Sequence, residues 1–122
     1  MNILADTSVW VDHFKGSSGS LAELLKEGTV VIHPVVIGEL ATGNLRKRDE
    51  TLRDLLALPR ISPATFEECL AFITHRRLYG RGIGWSDVQL LASAQLSKTL
   101  LWTRDKRLNA VAMHLHLSFI HA

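Results

Sequence analysis

The chain has 122 residues, of which 47% are hydrophobic and 21% charged, so we expect a single globular domain over residues 1–122. The lone cysteine, Cys69, excludes an intramolecular disulfide and lies in an amphipathic run where it is expected to be buried and unreactive. The net charge of +2 is compatible with nucleic-acid binding without indicating it. The first residues lack the pattern of a secretory leader, and no apolar stretch is long enough to span a bilayer, so we expect a cytoplasmic protein with no membrane partner.

In chain order, short apolar runs alternate with amphipathic segments. The apolar runs predict strands over residues 2–5, 29–33, 60–62, 99–102 and 115–120. Helical periodicity predicts helices over residues 8–15, 21–26, 34–42, 46–58, 65–78, 86–97 and 105–114. Ser18 or Ser20 is a candidate cap for the second helix, Gly28 a candidate end, and Pro34 fits the first turn of the third. A glycine-rich loop is expected over residues 79–85.

This alternation predicts the fold class. Strands separated by helices favour a parallel sheet covered on both faces, and the predicted strands are uniformly apolar, as doubly covered strands are. We therefore predict an α/β protein, a three-layer α/β/α sandwich with a central, mostly parallel sheet. In such folds functional sites lie beyond the carboxyl ends of the strands.

Four acidic residues are set in apolar sequence near those strand ends. Asp6 follows the first strand, Glu39 lies on the helix after the second, Asp87 opens a helix after the glycine-rich loop, and Asp105 follows a later strand. A carboxylate in apolar surroundings is costly unless something compensates it, and Mg²⁺ or Mn²⁺ would do so. The other acids fit solvated helix faces: Asp12, Glu23, Glu27, Asp49, Glu50, Asp54, Glu67 and Glu68.

A plainer interpretation stays open for three of these acids. Asp6 and Asp105 can be helix N-caps, and Asp87 can complement a helix dipole. Glu39, which we expect to be buried in an apolar helix turn, has no such role. Parallel strands would bring Asp6, Asp87 and Asp105 to one edge of the sheet.

The segments LADTSVWVDHF, VVIGELATG, WSDVQLLASAQ and LLWTRDKRL, in this order, resemble the PIN domains of VapC-type toxins. The resemblance covers essentially the whole chain. It implies a ribonuclease of a type II toxin–antitoxin system that hydrolyses RNA phosphodiester bonds with one or two Mg²⁺ or Mn²⁺ ions. It also implies a cognate antitoxin, which would dock beside the helices over 46–58 and 65–78 and insert an arginine into the acidic site, and a homodimer.

By the same resemblance, the catalytic acids would be Asp6, Glu39, Asp87 and Asp105. Asp6, Asp87 and Asp105 would bind the metal, and Glu39 would be a further ligand or a base acting through water. Thr103 would support the site by a hydroxyl hydrogen bond, with Thr7 nearby. Many relatives carry another acid at the position of Arg107, and this departure leaves a second metal to be completed by Asn109 or water.

Basic residues must hold the RNA phosphates, because the acids repel them. The arginines at 46, 48 and 53 and Lys47 are interleaved with acids and fit a solvated helix face. Candidate RNA contacts are Arg76, Arg77 and Arg81 around the glycine-rich loop, and Arg104, Lys106 and Arg107 beside Asp105. Trp85 can stack on a base, although a core position is more typical of tryptophan.

Several other interpretations compete with this one. A zinc site at His114, His116 and His121 lacks the usual ligand spacing, and these histidines fit alternation along a terminal strand. A phosphoacceptor domain using Asp6 would require a late lysine, for which Lys106 is the candidate. The PIN-like alternatives are a nuclease for structured nucleic acid and a catalytically silent binding module.

Overall fold

A computed structural model describes residues 1–16 and 19–120. Its strands are β1 (Ile3–Ala5), β2 (Val30–Val31) and β3 (Leu100–Trp102). Its helices are α1 (Thr7–Phe14), α2 (Ser20–Glu27), α3 (Pro34–Ala41), α4 (Arg48–Ala57), α5 (Phe66–Arg76), α6 (Trp85–Leu96) and α7 (Lys106–His114). Within this part of the chain, no helix combines the length and apolar character that crossing a membrane requires.

The three strands form one parallel sheet in the order β2-β1-β3. Ile3 is paired with Val30 on one side and Leu100 on the other, so β1 is the central strand. All three residues of β1 are buried, as expected for a strand covered on both faces. The predicted three-layer α/β/α sandwich with a parallel central sheet is confirmed.

The helices form two packed groups around this sheet. In the first group, which is N-terminal, α1 contacts β1, α2 and α3, and α4 packs on α3. In the second group, α6 contacts β3 and α5 packs on α6. The buried Ser93 hydroxyl of α6 donates to the Gln89 carbonyl and accepts the Ala64 N–H at 2.9 Å, which fixes the chain before α5 against α6. The start of α5 and the middle of α6 are therefore held together.

Most helix ends follow their sequence signals. Gly28 ends α2 in the left-handed conformation at φ 74°, which glycine adopts without strain. Pro34 occupies the first turn of α3. Thr65 and Glu68 form a reciprocal capping box at the start of α5, with Oγ1 of Thr65 accepting the Glu68 N–H at 3.1 Å.

Ser20, one of the two predicted caps of the second helix, is not its N-cap. Gly19 is the N-cap of α2, and Ser20 is already the first helical residue. Ser18, the alternative cap, lies outside the described residues.

The predicted strands over 60–62 and 115–120 are reduced to isolated bridges, from Arg60 to Ile32 and from Ser118 to Leu101. The end of α7 explains the second shortening. His116 has a left-handed φ of 59°, and the Leu117 N–H donates back to the Ala112 carbonyl at 2.8 Å. The chain joins the sheet only after this turn, where Leu101 is bonded to Leu117 and Phe119, so His114 and His116 do not alternate along a strand.

Candidate active site

Asp6 lies at the junction between β1 and α1. Its backbone N–H donates to the Trp102 carbonyl of β3 at 3.0 Å, so the sheet itself holds this residue in place. Its side chain is the N-cap of α1, because Oδ1 accepts the Val9 N–H at 3.2 Å. The carboxyl group therefore lies at the carboxyl end of the central strand, beside the end of β3.

Two hydroxyl groups hold the Asp6 carboxylate. Ser8 Oγ donates to Oδ1 and Thr103 Oγ1 donates to Oδ2, each at 2.5 Å. Asp6 is only 6% exposed. Burial raises the pKa of Asp6 above its usual value, and the hydrogen bonds from Ser8, Thr103 and the Val9 N–H lower it in opposition. The fold thus keeps a carboxyl group where its charge is poorly solvated.

Thr103 connects Asp6 to the start of α7. The Asp105 N–H donates to Thr103 Oγ1 at 3.0 Å, and the Arg104 N–H donates to Ser8 Oγ at 2.9 Å. Asp105 is exposed and is the N-cap of α7, accepting the Leu108 N–H at 2.9 Å. We call this group of Asp6, Ser8, Thr103 and Asp105 the acidic edge.

Glu39 approaches the acidic edge from α3. Its Oε1 accepts a hydrogen bond from Thr7 Oγ1 at 2.5 Å, and Thr7 directly follows Asp6. The expectation that Glu39 is buried is wrong: Val36 and Leu40 form the buried face of α3, and Glu39 is exposed. The apolar residues around Glu39 in sequence cover the core on another side of the same helix.

Asp87 is half-buried in the first turn of α6. Its Oδ2 accepts the Gly84 N–H at 3.0 Å, which ties the start of the helix to the preceding loop. Asp6, Asp87 and Asp105 thus all accept backbone N–H groups at helix starts, and the plainer interpretation describes real interactions. A carboxylate offers about four lone-pair sites, so these bonds leave acceptor capacity for another role.

The acids are not all brought together to the same degree. Thr103 is hydrogen-bonded to both Asp6 and Asp105, and Thr7, the residue after Asp6, is hydrogen-bonded to Glu39. Within residues 1–16 and 19–120, no hydrogen bond joins Asp87 to the other three acids. Across the same residues, no three His, Cys, Asp or Glu side chains are grouped closely enough to enclose a metal ion.

The donor chemistry still fits Mg²⁺ or Mn²⁺. Every candidate ligand is an oxygen, and Asp6 carries a poorly solvated carboxylate that a cation would compensate. Mg²⁺ commonly binds proteins through one or two carboxylates and keeps several water molecules. A closed cage of three acids is not required for such a site.

The candidate RNA-binding cations have different surroundings. Arg104 pairs with Asp12 at 3.0 Å and lies 6.0 Å from the centre of the Trp102 ring, so its charge is already engaged. Arg76 lies 6.0 Å from the centre of the Phe72 ring. The remaining candidates are exposed: Arg77, Arg81 and Lys106.

Two other sequence expectations concern aromatic residues and histidines. Trp85 is 44% exposed and contacts the exposed Phe66 edge-on, with ring centres 5.6 Å apart, so the core position is wrong. His114 is the last residue of α7 and His116 follows its end, so they share no strand face. His121 lies outside the described residues.

Ser8 is a site residue that sequence reasoning missed. It both donates to Asp6 and accepts from the backbone of residue 104. The available signal was a serine two residues after an aspartate at a helix start, where short polar side chains bond locally. That signal indicates a cap, and only the fold shows that the same hydroxyl reaches the end of β3.

Comparisons with known proteins identify the family of this chain. The family model described as "PIN domain" matches residues 3–113. Two proteins called "Ribonuclease VapC32", from two strains of Mycobacterium tuberculosis, are each 45% identical over 109 residues, covering 88% of this chain and 88% of theirs. The crystal structure of PAE2754 from Pyrobaculum aerophilum aligns with a TM-score of 0.59 and 17% identity, over 95% of this chain and 90% of that chain. This chain belongs to the PIN domain family.

Proposed function

We propose that residues 1–122 form one PIN domain that hydrolyses RNA phosphodiester bonds internally with Mg²⁺ or Mn²⁺, as the toxin of a VapBC-type toxin–antitoxin pair in the cytoplasm. The observation that carries the proposal is the Asp6 carboxylate, buried at the carboxyl edge of the sheet and held by two hydroxyl groups. The similarity to proteins named ribonucleases supports the substrate class.

The metal ligands in this proposal are Asp6, Asp87 and Asp105. A bound divalent cation would supply Lewis acidity toward the phosphate and lower the pKa of a coordinated water. A PIN chain that kept its acids only as helix caps would not need Asp6 to be buried, since an N-cap functions equally well at the surface.

The other residues of the acidic edge position these groups. Thr103 and Ser8 each fix one oxygen of Asp6, so the carboxylate cannot rotate freely. Thr103 also accepts the Asp105 N–H and couples the two acids through one hydroxyl. Groups whose partners are fixed in advance lose less entropy when a ligand binds.

Glu39 is suited to a different role from Asp6. It is exposed and is oriented by the Thr7 hydroxyl. An exposed carboxylate within reach of solvent can accept a proton from an attacking water molecule, and such general-base assistance contributes about 10²–10⁴-fold to a rate. We therefore assign proton transfer to Glu39 and metal binding mainly to the three aspartates.

RNA binding in this proposal relies on exposed cations at the end of α5, in the loop before α6 and at the start of α7, namely Arg76, Arg77, Arg81 and Lys106. Arg104 contributes less directly, because Asp12 neutralises it in the free protein. The PIN scaffold and its acids define the chemistry, whereas the choice of RNA depends on these surrounding side chains.

A cognate antitoxin would bind beside the acidic edge. A groove of about 430 Å³ runs between α1, α3 and α4, lined by apolar side chains that include Val11, Phe14 and Leu40. Thr7 and Glu39 form one of its walls, so a segment docked there could direct an arginine toward the acids. A second groove of about 320 Å³ lies between α5 and α6. We also propose that the protein works as a homodimer.

The direct test is cleavage of a mixed RNA pool with Mg²⁺ or Mn²⁺, with EDTA, and with the Asp6→Asn variant. Asp49→Asn is a matched control, because it removes an exposed carboxylate from α4. The proposal predicts metal-dependent cleavage that Asp6→Asn abolishes and Asp49→Asn retains. Metal-dependent cleavage that persists in folded Asp6→Asn would contradict it.

A further inference from the structure

The Arg107 side chain, which belongs to α7, lies against the loop that leads to Asp87. We call residues 79–84, between α5 and α6, the glycine loop. A Cβ atom built on Gly82 would lie 3.1 Å from Cδ of Arg107, 3.2 Å from its Nη1 and 3.6 Å from its Cζ. The Arg107 side chain therefore occupies the space that a side chain at position 82 would need, and this close approach joins the first turn of α7 to the glycine loop.

Gly82 is suited to this contact for two reasons. Its φ of +79° belongs to the left-handed region, which other residues rarely adopt. It also lacks the side chain that would displace the arginine. Gly80, with a φ of +70°, has no comparable neighbour within 4 Å. Of these two glycines, Gly82 is therefore the one beside which the guanidinium group lies.

Arg107 is exposed, and within the described ranges 1–16 and 19–120 no carboxylate lies at salt-bridge distance from it. Arg104, three residues earlier, is paired with Asp12. Arg107 also lies in the first turn of α7, where a positive charge is unfavourable to the helix dipole. Neither an ion pair nor helix stability accounts for a cation at this position.

We propose that Arg107 binds a phosphate of the RNA chain as it passes between Asp105 and Asp87, with Gly82 holding the guanidinium in place. The inference rests on the proposed function. Asp105 lies two residues before Arg107, and the glycine loop ends at Gly84, whose N–H is bonded to Asp87. Arg107 therefore bridges the two elements that carry these acids.

The chemistry suits a phosphodiester. A guanidinium group offers parallel N–H donors that match two phosphate oxygens, and it keeps its charge at every physiological pH. Packing on Gly82 restricts the side chain before RNA arrives, so less conformational entropy is lost on binding. The Arg107 guanidinium is therefore charged and held in place, and within the described residues no carboxylate is paired with it.

The experiment measures binding of a labelled single-stranded RNA as a function of salt, in the Asp6→Asn background and with EDTA so that RNA is not cleaved. Each phosphate contact with a single strand contributes about 0.7 to the slope of log affinity against log salt. Arg107→Ala should lower that slope by this amount, and Arg107→Lys should keep the slope while weakening binding. Arg53→Ala, which removes an exposed arginine from α4, should leave it unchanged.

Gly82→Ala tests the packing. It should weaken RNA binding when Arg107 is present and cause no further weakening in the Arg107→Ala background, with circular dichroism showing that each variant is folded. A slope unchanged by Arg107→Ala, while the parent binds RNA, would overturn the phosphate contact and leave the proposed nuclease intact. Failure of folded Asp6→Asn to bind RNA at any salt concentration would overturn this inference, whereas the proposed function is judged by the metal-dependent cleavage of wild type.

Discussion

The acidic edge and the glycine loop both place an aspartate at the start of a helix, yet they hold it in different ways. Asp6 is buried, and its two oxygens are each bonded to a hydroxyl group. Asp87 is half-buried, and its Oδ2 is bonded to the backbone N–H of Gly84. The first arrangement raises the energetic cost of the charged form, and the second resembles an ordinary helix cap. A buried, bonded carboxylate is thus the stronger sign of a functional site.

The largest expected effect comes from Asp6→Asn. Cleavage should fall by more than about 100-fold, because even residues that only hydrogen-bond to a metal's ligands contribute about 10–100-fold. Stability should respond in the opposite direction. Burial raises the pKa of folded Asp6 above 3.8, so the folded state binds more protons than the unfolded state just above that pH.

The free energy of unfolding contributed by Asp6 therefore decreases as pH rises from about 4 through the folded pKa, and it stays lower at neutral pH. Asp6→Asn removes this decrease. Denaturant titrations in EDTA at several pH values should find the variant at least as stable as wild type at pH 7. If the stability of Asp6→Asn relative to wild type instead decreased between pH 4 and pH 7, burial would not raise the pKa of Asp6 in the folded protein.

The next largest effect is expected at Thr103. Thr103→Val keeps the shape but removes the hydroxyl that contacts both Asp6 and the Asp105 N–H. We expect cleavage to fall about 10–100-fold. Unfolding should require about 1–3 kcal/mol less, because a buried acceptor loses its partner. Thr103→Ser is the matched control and should recover most of both quantities, as measured by cleavage rates and urea denaturation.

These two predictions show where sequence reasoning was sufficient. The strand that ends at Asp6 and the Thr-x-Asp segment after β3 were visible because apolar runs stop abruptly at polar residues. Their meeting followed from the parallel sheet, in which neighbouring strands end at the same edge. Side-chain orientation was less predictable. Glu39 was expected to be buried from its neighbours in sequence, although a helix of eight residues has an exposed side as well.

The errors share a physical cause. The last predicted strand is apolar enough, but His116 turns left-handed and closes α7 before the chain reaches the sheet. The contact between Arg107 and Gly82 joins residues that are far apart in sequence. Local pattern determines which segments can form an element, whereas tertiary contacts decide where it ends and which side chains meet.

The stability difference that distinguishes capping from catalysis at Asp105 is smaller. Asparagine caps helices as well as aspartate does, whereas alanine costs about 1 kcal/mol. Asp105→Asn should therefore preserve the thermal stability measured in EDTA and still lose cleavage, and Asp105→Ala should lose both. Equal cleavage by wild type and Asp105→Asn would show that Asp105 is only a cap.

The smallest expected effect concerns His33, which is buried after β2 and accepts the Val35 N–H through Nδ1 at 2.9 Å. Burial lowers its pKa below 6.5, so the unfolded state takes up a proton first as the pH falls. Stability should decrease below about pH 6.5, by at most about 1.4 kcal/mol per pH unit from this group. His33→Asn keeps a capping acceptor and should reduce that dependence in urea titrations between pH 7 and pH 5.

Metal binding by the buried Asp6 carboxylate is tested most directly by the thermal stability of the protein with and without Mn²⁺, compared between wild type and Asp6→Asn. A ligand that binds only the folded state at 100 times its dissociation constant stabilises it by about 2.7 kcal/mol. We expect Mn²⁺ to raise the melting temperature of wild type and to have little effect on Asp6→Asn. An equal rise in both proteins would show that the buried Asp6 carboxylate is not part of a metal site.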